Sequence, residues 1–416
     1  MKTNKYWSII IYCCTYLILT LSTLTATAAE RCENAVARTI SAQGSLEVRY
    51  AGQSNWQAAK LNDRFCTGDA LRTGQDSRVA IMLLPETVIR LDQFSSMVFT
   101  RPDTEASPSL LELLKGAAHF ISRDPRALQI ITPFANAAIE GTEFLVQVGA
   151  QQTGVTVYEG KVLVGNNSGS VAVTSGKRAV AQTGQAPVAQ AVVQPRDAVQ
   201  WTLYYPPVLL QGDATMQQAA VALAVGQVDS ASALLDQALA THAGNSDALA
   251  LKSIIAVTQN DKALALTLAN QAVSANPNSA AAYIALSYAQ QAHFDLSGAL
   301  NSLQQAISHE PGNALAWARL AEMWLSVGDL DKGLVAAEQA HGIDPNLSLT
   351  QTVLGFAYLT RIRIPESLDA FNRAITLDQA APLPRLGLAK IRKGELIAGR
   401  EQIEIAVILD PGNSLI

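Results

Sequence analysis

Histidine is scarce in this chain, with five residues in 416. His119, His242, His293, His309 and His341 stand apart, none in a His-Glu-x-x-His pattern and none beside a cysteine. The usual zinc-hydrolase spacing is therefore missing. Also missing are a Gly-x-Ser-x-Gly elbow, a phosphate-binding loop and a dinucleotide fingerprint. Carboxylate pairs such as Glu140 and Glu143 occur, but nothing in the sequence places a cleft around them. The chain reads as non-enzymatic, with no catalytic residues, no cofactor and no metal site. Charge is sparse too: 16% of residues are Asp, Glu, Lys or Arg, and the formal net charge is −5. Nucleic acid and anionic bilayers both need a basic patch, so this balance argues against nucleic acid as a partner.

Long apolar runs are confined to the start. In "MKTNKYWSIIIYCCTYLILTLSTLTATAAE", Lys2 and Lys5 precede an apolar stretch from Trp7 to Leu24, and Ala-Thr-Ala-Ala follows. A positive start, an apolar middle and small residues at the end predict a secretory leader over residues 1–28, and hence export. Loss of Lys2 and Lys5 with it lowers the net charge by two, from −5 to −7. No later segment offers about 18 uninterrupted apolar residues, so nothing else predicts a membrane helix. Cysteine is nearly absent. Of four, Cys13 and Cys14 lie in the leader, which leaves Cys32 and Cys66. An even pair in an exported chain predicts a disulfide. Closing that loop would contribute ~3 kcal/mol by the chain-entropy argument.

The rest divides into two textures. From residue 34 to 185 short β-branched runs such as "RVAIMLL", "TVIRLD", "EFLVQV" and "GVTVYEG" alternate with turn clusters such as "RTGQDS" and "GNNSGS". Many short strands at near-regular spacing predict an all-β domain. "SPSLLELLKG" reads as a strand and turn. Residues 186–211 hold Pro-rich "APVAQAVVQPRDAVQWTLYYPPVLLQ" and predict a partly extended linker. Its Trp201, Leu203 and Tyr204 are expected to pack on one of the two domains, because a free aromatic run is costly.

From residue 212 to 413 the chain is Ala- and Leu-rich and repeats. Pro277, Pro311 and Pro345 recur at 34 residues, with Ala243 and Gln379 in step and Pro411 two residues early, giving six units. Five residues before each marker stand Ala238, Ala272, Ala306, Ala340, Ala374 and Ala406. Twelve before stand Ala231, Ala265, Ala299, Gly333, Ser367 and Gly399, all small, and eight before stand large or small apolar residues from Leu235 to Ile403. Small residues let two helices approach at their crossing, and Pro stops the preceding helix. This pattern resembles the tetratricopeptide repeat, which implies antiparallel helix pairs stacked into an all-α solenoid with a concave groove. The match loosens where Gln351 and Arg385 stand for the aromatic and Lys252 for the leucine. First-helix positions expected to face the groove, as partner-binding residues, are Tyr288, Arg319, Glu322, Phe356 and Lys390. The column Ile254, Tyr288, Glu322, Phe356, Lys390 contains no Asn, which argues against the terminal-carboxylate clamp of some relatives. An extended or helical peptide from another protein is the natural ligand.

In the β half, Gly68-Asp69 with Arg72-Thr73, Thr132-Pro133, Gly141-Thr142 with Phe144, Tyr158-Glu159-Gly160 and Gly176 occur in an order that resembles the FecR domain, a periplasmic module. The motif glycines read as turn formers and Thr142, Glu143 and Glu159 as structural. "LPETVIRL" departs from the family's usual turn. The resemblance implies a periplasmic or cell-envelope protein of a Gram-negative-type bacterium, whose β domain docks to an envelope polysaccharide or outer-membrane protein. Regulators of that family carry a cytoplasmic helical segment before the membrane helix. Here only a few residues precede the apolar stretch, so that contact is not expected. Together these readings predict α and β in separate domains, acting as an exported scaffold for protein–protein interaction. The alternative is a periplasmic signal-transducing or cell-wall polysaccharide-binding module.

Overall fold

β-branched residues at alternating positions pleat the N-terminal half into strands. The structure is a computed structural model describing residues 35–83, 87–100, 109–122, 128–139, 143–192, 199–200, 202–378 and 384–409. The leader, Cys32, the Gly141-Thr142 pair and Trp201 lie outside these residues. The strands are β1 (Ala37–Gln43), β2 (Leu46–Arg49), β3 (Gln57–Ala58), β4 (Arg64–Phe65), β5 (Ala70–Thr73), β6 (Arg78–Leu83), β7 (Thr87–Leu91), β8 (Ser96–Thr100) and β9 (Ser109–Ser122). They continue as β10 (Leu128–Ile131), β11 (Asn136–Ile139), β12 (Glu143–Val148), β13 (Gln152–Glu159), β14 (Lys161–Asn166), β15 (Gly169–Thr174), β16 (Lys177–Gln182) and β17 (Val188–Ala191).

Two sheets share one strand. The first runs β4-β1-β6-β7-β9-β12-β13-β16-β17, and the second β3-β2-β5-β8-β9-β10-β11-β14-β15. All these pairings are antiparallel except β9 with β10. The 14-residue β9 changes sheet at Gly116: Leu110 to Lys115 pair with β8, and Gly116 to Ile121 pair with β12. Gly116 has φ +88°, and a β-carbon there would lie 2.3 Å from Ser95 Oγ, so only glycine fits. The inner faces of both sheets meet in one core, in which Phe120 and Phe144 oppose each other across β9 and β12 and stack at 4.7 Å. Each such phenylalanine contributes about 1.5–3 kcal/mol by burial. "SLLELLK" is thus part of a long strand. The segment read as a linker from residue 186 begins with β17, which extends the first sheet.

The C-terminal half is a helical array. Its helices are α1 (Ala214–Ala224), α2 (Val228–Thr241), α3 (Ser246–Thr258), α4 (Lys262–Ala275), α5 (Ala280–Ala292) and α6 (Leu296–His309). There follow α7 (Ala314–Ser326), α8 (Leu330–Ile343), α9 (Ser348–Thr360), α10 (Ile364–Leu377), α11 (Pro384–Lys393) and α12 (Leu396–Leu409). Consecutive helices pack as six pairs. The small column is the seam: Ala231, Ala265, Ala299 and Ser367 are fully buried, as are Leu235, Ala269, Leu303, Ala337 and Phe371 four residues on. A β-carbon on Gly333 would sit 2.6 Å from Leu325 Cδ2, so this crossing leaves no room for a side chain. Asn245, Ser279 and Asn313, just past the markers, cap α3, α5 and α7, accepting from Ala248, Ala282 and Ala316 N–H. Asp261, Asp295 and Asp329 do the same for the second helices α4, α6 and α8.

Each pair turns on a residue in the left-handed region: Gly226, Asn260, Phe294, Gly328, Ile362 and Gly394. Successive first helices, α1 with α3, α3 with α5, α5 with α7 and α7 with α9, touch one another. The second helices make no comparable contact with each other among the described residues. The stack therefore curves with its first helices inside.

Candidate partner-binding groove

The inner layer carries the predicted groove residues, and it joins three of them. Arg319 on α7 is 1% exposed. Its guanidinium carbon lies over the Tyr288 ring of α5, 3.7 Å from the centroid. Its Nη1 donates to Glu322 Oε2 at 2.7 Å, Nη2 to the side-chain Oε1 of Gln291, and Nε to Ser287 Oγ at 3.5 Å. A guanidinium held by an aromatic face, a carboxylate and an amide keeps its charge while buried. Burial pushes the Tyr288 hydroxyl above its ordinary pKa; Arg319 opposes that rise and Glu322 adds to it. Phe356 of α9, one repeat on, is half-buried against the solenoid core. Lys390 is half-buried on α11, further along the same layer. The repeat spacing could place these five on first helices; it gave no sign that Arg319 would be an internal brace.

The joining segment packs on both domains. Val199 is buried against Ala117, Leu145 and Tyr158 on the outer face of the first sheet. Beneath it His119, 3% exposed, lies 3.2 Å from Glu143 Oε1 and edge-on to Tyr158. The Thr202 carbonyl then accepts from Arg90 Nη1 at 3.1 Å, and the Leu203 carbonyl from Arg78 Nη1 at 2.8 Å. Gln200 Oε1 accepts from Gln259 Nε2, at the end of α3, at 3.0 Å. Beyond it Tyr205 and Val208, 4% and 1% exposed, belong to the solenoid core, with Leu203 and Leu209 packed on it. The Tyr204 hydroxyl is pushed up by burial and by the nearby charges of Asp378, Tyr288 and Glu322, against Arg78.

Polar contacts join the β domain to the helices. Arg78 of β6 donates through Nη2 to the Ala224 carbonyl at the end of α1, at 2.8 Å. Gln43 of β1 donates to the same carbonyl at 2.7 Å, and its own side-chain oxygen accepts from Arg78 Nε. Gln227 donates to Asp76, and Arg38 of β1 pairs with Glu401 of α12. Burial pulls the Arg78 pKa down, while Asp378, Tyr204, Tyr205 and Asp92 around it hold the charge in place.

The β-domain motif residues serve the backbone. Asp69 accepts from Ala51 N–H at 2.9 Å and Cys66 N–H at 2.8 Å, and Thr73 Oγ1 donates to the Asp92 carbonyl at 2.5 Å. Thr132 Oγ1 donates to the Ala135 carbonyl at 2.7 Å. Arg72 pairs with Glu47 at 2.6 Å and lies 4.3 Å over the Trp56 ring. Cys66 is half-buried beside Asp69; the predicted pairing with Cys32 falls outside the described residues.

Comparison with known proteins agrees with this division. A family model described as FecR protein matches residues 69–163. A tetratricopeptide repeat model matches residues 216–280 and 284–348. No curated protein matches the chain. Among solved structures, the human IFIT1 dimer with m7Gppp-AAAA is 16% identical with a TM-score of 0.40, covering 45% of this chain and 48% of that one. A thermophilic TPR protein of Thermus thermophilus, TTC0263, is 18% identical with a TM-score of 0.36, covering 47% of this chain and 97% of that one. A putative anti-sigma factor from Parabacteroides distasonis is 20% identical with a TM-score of 0.28, covering 33% and 66%. The chain spans about half the length of the human structure.

Proposed function

Since a FecR domain and a tetratricopeptide array are joined in this one chain, we propose that it is an exported interaction scaffold. Its β domain docks to the cell envelope, on a polysaccharide or an outer-membrane protein, and the inner face of its solenoid holds a partner polypeptide. Tetratricopeptide repeats indicate protein–protein interaction, FecR adds a signalling context, and both families are generally non-enzymatic.

One observation carries the groove reading. Tyr288 and Glu322 are fixed on the inner layer by a buried arginine, so they are set before any ligand arrives. Side chains locked in advance lose little entropy on binding, which is how a recognition surface gains affinity. The remaining parts of the proposal follow the sequence: a leader over residues 1–28 sends the chain out of the cytoplasm, and Cys32 pairs with Cys66 once it is there.

Expression in a Gram-negative host tests both halves. The mature chain should start after residue 28 in the periplasmic or envelope fraction, and envelope polypeptides that co-purify with it should be lost from a Tyr288→Ala, Glu322→Ala variant of unchanged circular dichroism. A chain that stays cytoplasmic, or capture indifferent to the two substitutions, defeats the reading.

A further inference from the structure

Trp56 stands just ahead of the edge strand β3, and two arginines lie over its ring. The Arg72 guanidinium carbon is 4.3 Å from the ring centroid and that of Arg49 is 5.4 Å from it. Leu46, Val48 and Leu71 point into the core. Glu47, Arg49 and Arg72, which alternate with them along β2 and β5, therefore point outward. Arg72 is also tied to Glu47 at 2.6 Å. Arg49 is exposed and pairs with no carboxylate among the described residues. The cluster thus carries an uncompensated positive charge, on a chain whose formal net charge is −5.

The loop that leads into Trp56 adds hydrogen-bonding groups and is held in place. Gln53 N–H donates to the Tyr50 carbonyl at 2.9 Å and closes a tight turn, in which Gly52 has φ +77°. Asp69, 3% exposed, accepts from Ala51 N–H at 2.9 Å and so anchors that turn to the start of β5. Past the anchor Gln53, Ser54, Asn55 and Gln57 are all exposed. Gln57 donates to Gln53 and Ser54 to Asn55, each at 3.1 Å. A side-chain amide has four hydrogen-bonding positions, so these contacts leave donors and acceptors for a ligand.

An indole, two guanidiniums and a row of amides in one patch select a ligand by three properties. A guanidinium takes a carboxylate through parallel N–H bonds. Amides exchange hydrogen bonds with hydroxyls. The indole packs against C–H surface. A sugar acid offers all three. A polypeptide fits this patch less well. Strand β3 has two residues, which is a short template for strand addition. A docked helix needs an apolar row, and apart from Trp56 the segment 53–57 is polar.

Resting on the envelope-docking reading above, we infer that Arg49, Trp56 and the loop 53–57 form a site through which the β domain binds an acidic polysaccharide, one that carries uronate carboxylates. Arg49 takes the carboxylate, Trp56 the body of the sugar ring, and the Gln53 and Asn55 amides its hydroxyls. Arg72, tied to Glu47, positions the indole.

The test uses the full mature chain and three soluble polymers: polygalacturonate, its methyl ester and polyglutamate. Titration calorimetry reads the binding. Polygalacturonate should bind. The ester keeps the rings and loses the charge, and polyglutamate keeps the charge and lacks hydroxyls, so each should bind about tenfold more weakly or less. Trp56→Ala and Arg49→Gln should each weaken polygalacturonate about tenfold with unchanged circular dichroism. Should Trp56→Ala fold poorly, Arg49→Gln carries the test from an exposed position, and Arg49→Lys should recover only part of the loss. Polyglutamate bound as well as polygalacturonate, or binding indifferent to both substitutions, overturns the inference. A chain that sediments with envelope membranes yet binds no polyuronate would sink this site and leave envelope docking standing, on an outer-membrane protein. A chain that does neither would sink the docking as well.

Discussion

The side-chain amide of Gln351 donates to the carbonyl of Pro345, six residues before it, at 2.6 Å. One repeat earlier the indole N–H of Trp317 donates to the carbonyl of Pro311 at 2.9 Å. A residue that departs from the repeat's aromatic column thus keeps the bond that ties α7, one repeat earlier, to its marker proline. Gln351 is 2% exposed and its amide also approaches His341 Nδ1 at 3.2 Å. Gln351→Leu keeps the bulk and removes the donor. It should destabilise the chain by about 1–2 kcal/mol, as expected for one lost buried hydrogen bond. A lower midpoint in urea unfolding is the readout; no change would show that the proline carbonyl finds water instead.

Ile362 stands at φ +61° on the turn between α9 and α10 and is 72% exposed. A β-branched residue in the left-handed region is strained by roughly 1–2 kcal/mol, and exposure returns nothing for it. Ile362→Asn should raise the melting temperature, since Asn260 already occupies the equivalent turn at φ 62°. Phe294 shares the strain at φ 61°, but Lys262 Nζ lies 5.5 Å from its ring centroid, so Phe294→Asn should gain less.

Arg319 tests the brace. Arg319→Ala strips a buried charge from its carboxylate and its aromatic face and should cost about 3 kcal/mol or more. Arg319→Lys keeps the charge and loses the plane and the fork, so it should recover only part of that. Unfolding followed by tryptophan fluorescence, with Trp317 and Trp324 on the same helix, reads both. A lysine variant as stable as the parent would show that charge alone matters.

Asp247, in the first turn of α3, has a pKa raised by burial and by the charges of Asp213 and Glu310. Its folded pKa lies above its unfolded one, so the folded chain holds the proton more tightly, and the group opposes folding once it is ionised. That opposition is complete at neutral pH and fades as pH falls through the raised value toward the ordinary carboxylate range near about 4. Asp247→Asn should therefore be the more stable protein at pH 7, with the difference shrinking on acidification. A difference that grows toward acid would reverse the assignment.

The repeat was legible because its physics is local and periodic. Alanine every 34 residues has one good use, a close helix crossing, and those alanines are the buried seam. The β half was legible as strands, but not as two sheets sharing one. "SLLELLKGAAHF" shows neither where β9 changes partners nor that Gly116 is the hinge, because that depends on Ser95 arriving from another strand. Arg319 and Gln351 look polar, and polarity at a helical position reads as surface. Their burial rests on partners 28 to 32 residues away for Arg319 and a proline carbonyl for Gln351. The docking of Leu203 on Arg78 joins residues 125 apart, beyond any local pattern.

Strand β1 holds the helical stack at both ends, Gln43 on α1 and Arg38 on α12. Those two residues lie about 17 Å apart along an extended strand. A free stack of helix pairs is a spring, since each pair touches only its neighbours and small tilts add up along its length. Here the spring is pinned across its own mouth by the β domain, with β1 at both ends. Tension applied to the last helices passes into β1 before the coil can lengthen, so compliance should appear as a step when the Arg38–Glu401 pair lets go, with soft extension only after it.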